Sequence, residues 1–111
     1  MTPLLEAHGV RLKALDSCLV VTGEVDFEIA TRLAEAGGEW LNAQPAGNGV
    51  VFDFTGVGCV SSAALSVLLE WIRRVRAQEL ELTSVRLSPA LRRLTDVAGL
   101  DRLLPLESAA A

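Results

Sequence analysis

The segment from Val50 to Leu69 constrains the fold of this chain more than any other. Val50-Val-Phe-Asp-Phe54 is too short for a stable helix and rich in β-branched and aromatic residues, so it reads as a buried strand. It runs through Gly56 and Gly58 into a stretch with helical spacing, where Leu65, Leu68, Leu69, Ile72 and Val75 form an apolar stripe over about Ser62 to Ala77. The two glycines predict that Thr55 to Val60 is irregular. The unit is therefore strand, loop, helix, and the same unit recurs on both sides of it. Cys18 to Thr22 is an apolar, β-branched run ended by Gly23, and Asp26 can cap a helix whose Ile29, Leu33, Ala36 and Trp40 share a face. Gly37-Gly38 weakens that helix near its end, by about 1 kcal/mol per glycine relative to alanine. Leu80 to Leu87 alternates in polarity. It is followed by Ser88-Pro89, a cap and a first-turn proline, and then by Leu91, Leu94, Val97 and Ala98, with Gly99 placed to end the helix.

Strands that alternate with helices pair in parallel through right-handed crossovers. Val10 to Leu15 also alternates, and Asp16-Ser17 is a turn signal before Cys18, so the chain opens on an antiparallel hairpin. Leu103 to Leu106 could add a short final strand. The expected architecture is α/β, a mixed sheet with helices packed against it, in the order β-β-α-β-α-β-α-β. A length of 111 residues suits one domain, with a core over 9–106 and a frayed tail over 107–111.

Composition excludes several function classes. The net charge is −4, which disfavours nucleic acid as a partner, and Arg73, Arg74, Arg76, Arg92 and Arg93 lack the aromatic interleaving of a nucleic-acid face. With one His, one Lys and no Tyr, most acid–base, Schiff-base and metal schemes lack parts, so no catalytic residue, metal or cofactor is expected. Cys18 and Cys59 form no C-x-x-C pair and read as thiols in a reducing compartment. Residues 1–10 carry no signal-peptide pattern, and the longest charge-free run, Phe54 to Leu69, is too short to span a bilayer, so a cytoplasmic location is expected. Half the residues are apolar, which implies a large core or an apolar surface reserved for a partner.

In open α/β sheets, ligands and partners meet the loops at the carboxyl ends of the strands. That directs attention to Ser61 and Ser62 at the start of the second helix. Free N–H groups there favour an anion, and a phosphate on serine would be tolerated electrostatically. A serine at this place is also simply a common cap. The glycine pair lacks the remaining residues of a dinucleotide or P-loop motif. Ala63 and Ala64 are small enough for a partner backbone to come close. Val67 and Trp71 fall beside the core stripe, so Ser61, Ser62, Ala63, Ala64, Ser66, Val67 and Trp71 form the expected partner-binding surface. Trp71 covering the rim of the core is the competing reading. Asp53, between two Phe residues, is expected to accept hydrogen bonds from loop amides.

Leu19-Val-Val-Thr-Gly-Glu-Val-Asp26, Val50 to Val57, Val60-Ser-Ser-Ala-Ala-Leu65 and Thr95-Asp-Val-Ala-Gly-Leu100 stand in an order and spacing that resembles the STAS domain family. This is the small α/β module of bacterial anti-sigma-factor antagonists and of some transporter subunits. The stretch Ser62 to Trp71 looks most like the STAS subunit of Mla-type phospholipid-trafficking ABC transporters. That resemblance implies a non-enzymatic subunit, peripheral to the inner membrane, that binds the transporter ATPase beside its permease and supports its assembly and activity. The alternative it implies is an anti-sigma-factor antagonist whose Ser62 accepts a phosphate from an anti-sigma-factor serine kinase. Ser61 stands where the family has Asp, and Ala64 where it has Gly, so Ser62 is expected to be largely unphosphorylated.

Overall fold

The structure is a computed structural model, and it describes residues 3–58 and 62–99. The elements in chain order are β1 (Leu5–Ala7), β2 (Val10–Leu15), β3 (Cys18–Gly23), α1 (Phe27–Asn42), β4 (Gly49–Val57), α2 (Ser62–Ala77), β5 (Glu81–Leu87) and α3 (Pro89–Val97). The sheet order is β1-β2-β3-β4-β5, antiparallel across the first three strands and parallel from β3 to β5. The expected mixed sheet with helices packed against it is therefore present. The expected strand at Leu103 to Leu106 and the tail over 107–111 lie outside the described residues.

Capping accounts for where two helices begin. The Ile29 N–H donates to Asp26 Oδ1 at 2.9 Å, and the Leu91 N–H donates to Ser88 Oγ at 3.3 Å. Each bond satisfies a first-turn donor with no partner inside its helix. At the other end of α3, Gly99 adopts φ +72°, the left-handed turn that glycine enters without a Cβ penalty.

One cross-strand row shows where the core sits. Ala14 pairs with Leu19, Leu19 with Phe52, and Phe52 with Val85. The Phe52 ring lies against Trp71 of α2, so this face of the sheet is the one the helices cover. α1 and α2 run side by side in the same direction: Trp71 stands level with Ala34, Arg74 with Gly38, and Gln78 with Asn42.

Several sequence expectations are corrected. β1 was not anticipated. It pairs with β2 through the two-residue turn His8-Gly9, both at positive φ (52° and 78°). A His-Gly pair between apolar residues is a weak form of the Asn-Gly hairpin signal. β4 does not stop at Phe54 but continues through Thr55 and Gly56 to Val57. Nor is it buried on both faces, because Val50, Phe52 and Phe54 are buried while Val51 and Asp53 are half-buried. The alternation expected across β5 is broken where Val50 pairs with Leu82 and Val51 with Ser84, leaving Thr83 as an extra residue. Its hydroxyl donates to the Val50 carbonyl at 3.1 Å. The bulge shifts the inward positions from Leu82 to Val85 and Leu87. In α3, Leu91 and Thr95 are buried, whereas Val97 is 86% exposed and Ala98 is exposed. The helix rests on α2 and β5 along a stripe ending one turn earlier than its apolar sequence suggests.

Candidate docking surface at the start of the second helix

At the carboxyl end of β4 the strand gains a residue: Val20 pairs with Asp53 but Thr22 with Gly56. This bulge would leave an N–H without a ladder partner. Asp53 supplies one, since its Oδ1 accepts from the Thr55 N–H at 2.9 Å and from the Thr55 hydroxyl at 2.6 Å. Its other oxygen lies 3.8 Å from Arg86 Nη1. Asp53 thus ties down the strand end, and the amide it accepts from belongs to β4 itself where a loop amide was expected. The arrangement uses its carboxylate structurally.

α2 begins at Ser62, which is exposed, as is Ser66 one turn later. The Ser66 hydroxyl donates to the Ser62 carbonyl at 2.9 Å. Ser61, with Cys59 and Val60, lies outside the described residues. Ala63 and Ala64 are fully buried, so they let α2 approach the protein's own interior. The small side chains serve packing within the chain.

The placement of Val67 and Trp71 on an outer flank is corrected. Val67 is 1% exposed and Trp71 is 0% exposed. The helix is rotated from the expected stripe: Leu69 is 41% exposed and Ile72 half-buried, while Ala63, Val67 and Trp71 point inward. Trp71 is the hub of the interior. Its ring centroid lies 5.4 Å from those of both Phe52 and Phe54, at tilts of 57° and 59°. Its indole N–H donates to the Ala34 carbonyl of α1 at 3.2 Å. The physical reason for the rotation lies in α1. Gly37 faces the Trp71 ring so closely that a Cβ there would overlap the indole. The glycine pair gives the largest side chain of the core a place to sit, and the wheel of α2 alone does not contain that information. Of the expected surface residues described, Ser62 and Ser66 are the ones that face solvent.

Phe27, the first residue of α1, is 68% exposed and was not anticipated. It falls off the Ile29–Leu33 stripe, and that is the signal that could have marked it. With Ala30, Thr31, Ala34 and Glu35 of α1 and Ser66, Val67, Glu70 and Arg74 of α2, it lines an open groove of about 430 Å³. Among the described residues no group of three or more His, Cys, Asp or Glu could hold a metal ion, and no helix is long and apolar enough to cross a membrane.

A family model described as "Mlab, STAS domain" matches residues 8–105, so the chain belongs to the STAS domain family. Among solved structures, it is similar to the crystal structure of an anti-sigma factor antagonist from Mycobacterium paratuberculosis. That match has 26% identity and a TM-score of 0.67, covering 96% of this chain and 92% of the other. No curated protein matches the sequence.

Proposed function

We propose that this chain is a non-enzymatic binding module of the anti-sigma-factor-antagonist type, docking its partner through the exposed start of α2 around Ser62. The observation that carries the reading is the near full-length similarity to an anti-sigma factor antagonist. The exposure of Ser62 at the amino end of a helix, on the carboxyl side of the parallel strands, supports its place in the site. The partner in this reading is an anti-sigma-factor serine kinase, and Ser62 is the residue it would modify, which departs from the expectation, drawn from Ser61 in place of the family Asp, that Ser62 stays largely unphosphorylated. A second reading, a subunit docking on the ATPase of a phospholipid-trafficking ABC transporter, rests on the Mlab description of the matching family model.

Affinity purification of tagged wild type, Ser62→Arg and Ser62→Ala from the native cell separates the two. Co-purification of a serine kinase that adds one phosphate to wild type but none to Ser62→Ala, read by intact mass, supports the first reading. Co-purification of an ABC ATPase supports the second. In either case Ser62→Arg loses the partner, because it puts bulk and an unpaired charge at a desolvated contact. Its melting midpoint moves only slightly, since position 62 faces water. Wild-type capture by Ser62→Arg overturns the placement of the surface. Substituting Trp71 is no test of docking, because it would remove the centre of the core.

A further inference from the structure

The groove between α1 and α2 is open to solvent. Its floor is made of small apolar side chains, Ala30, Ala34 and Val67, and Phe27 stands 68% exposed at one end. Two parallel helices of 16 residues, each about 24 Å long at 1.5 Å per residue, leave a furrow into which the ridge of a third helix fits. The two rims differ in charge. On the α2 side Glu70 is already engaged, 3.1 Å from Arg74 and 3.5 Å from Arg73. On the α1 side Glu35 is exposed and makes no ion pair among the described residues, and Glu28 and Glu39 lie on the same helix against Arg32 alone. The chain as a whole carries −4. Ser66 lines the groove and bonds back to Ser62, so the groove is continuous with the proposed docking surface.

From this we infer that the α1–α2 groove receives an amphipathic helix of a partner protein, with an apolar stripe against Phe27 and over Ala30 and Ala34, and basic side chains on the flank that meets Glu35. The inference rests on reading the chain as a docking module, and it adds the chemistry of the segment that docks. A second copy of this chain fits less well, because its net charge repels its own kind.

The test uses the full chain, isotope-labelled, and needs no native partner. It is titrated with an 18-residue peptide of Leu, Ala and Lys patterned as an amphipathic helix, and separately with the same peptide carrying Glu for Lys. Amide shifts for the Lys peptide should concentrate on Phe27, Ala30, Ala34, Ser66, Val67 and Glu70, with the Glu peptide at least tenfold weaker. Phe27→Ala and Glu35→Lys should each weaken the Lys peptide about tenfold. Glu81→Lys, an equal change in net charge at an exposed position of β5, should leave it within twofold. Equal binding of the two peptides, shifts centred elsewhere, or equal losses in Glu35→Lys and Glu81→Lys overturns the inference. So does concentration-dependent self-association that protects the groove. Failure here with Ser62-dependent capture intact would leave the docking module standing and remove only the groove.

Discussion

Gly37 and Gly38 are adjacent in sequence and opposite in consequence. A methyl at Gly38 would meet only the flexible Arg74 side chain at 3.6 to 4.0 Å, an ordinary contact. Alanine there should stabilise the protein by up to about 1 kcal/mol through helix propensity. A methyl at Gly37 would overlap the Trp71 ring, which is fixed between Phe52 and Phe54. Overpacking of this kind costs about 1–3 kcal/mol and exceeds the propensity gain. Urea denaturation of Gly37→Ala and Gly38→Ala should therefore give shifts of opposite sign. Composition marks both residues alike as helix breakers, and only their tertiary neighbours tell them apart. Asp53 was more legible, because a carboxylate inside an apolar strand needs donors wherever it lies and a strand end is where donors become free.

At the scale of elements, the sequence signals were strongest where local chemistry decides the outcome. The caps Asp26 and Ser88, the stop at Gly99 and the 62–77 helix all follow from neighbouring residues, and they stand where expected. Legibility failed where a partner element sets the phase. The bulge at Thr83 shifts the inward face of β5, and the rotation of α2 answers a glycine notch in α1; neither leaves a mark in its own segment. α3 shows the same effect, and it can be measured. Leu91 is fully buried, so Leu91→Ala should cost about 2–5 kcal/mol by emptying a core position. Val97, 86% exposed, belongs to the same apolar sequence pattern, yet Val97→Lys should change stability by less than about 0.5 kcal/mol. Thermal or urea melts of the two variants check the contrast. The candidate site was legible only in part. Ser62 and Ser66 face water, but Phe27 and the groove needed α1 and α2 to be set side by side.

For the whole molecule, the buried apolar side chains among the described residues form one core, which joins β2 to β5 with α1, α2 and Leu91 of α3. Trp71 touches the sheet through two rings and α1 through its hydrogen bond, so neither layer can leave without disturbing it. Unfolding should be a single transition, with tryptophan emission and far-ultraviolet dichroism giving the same midpoint. Separate midpoints would mean that the helical layer detaches from the sheet as a unit of its own. The fit of Gly37 to Trp71 also has a consequence across evolutionary time. A bulky side chain at one position is permitted only by the void at the other, so the two volumes are inherited as a sum. Diverged relatives that keep this helix pairing should therefore covary at these positions, with a larger residue at 37 accompanied by a smaller one at 71. A lineage would pass between the two states through an intermediate with an empty pocket, because the doubly large one does not fit.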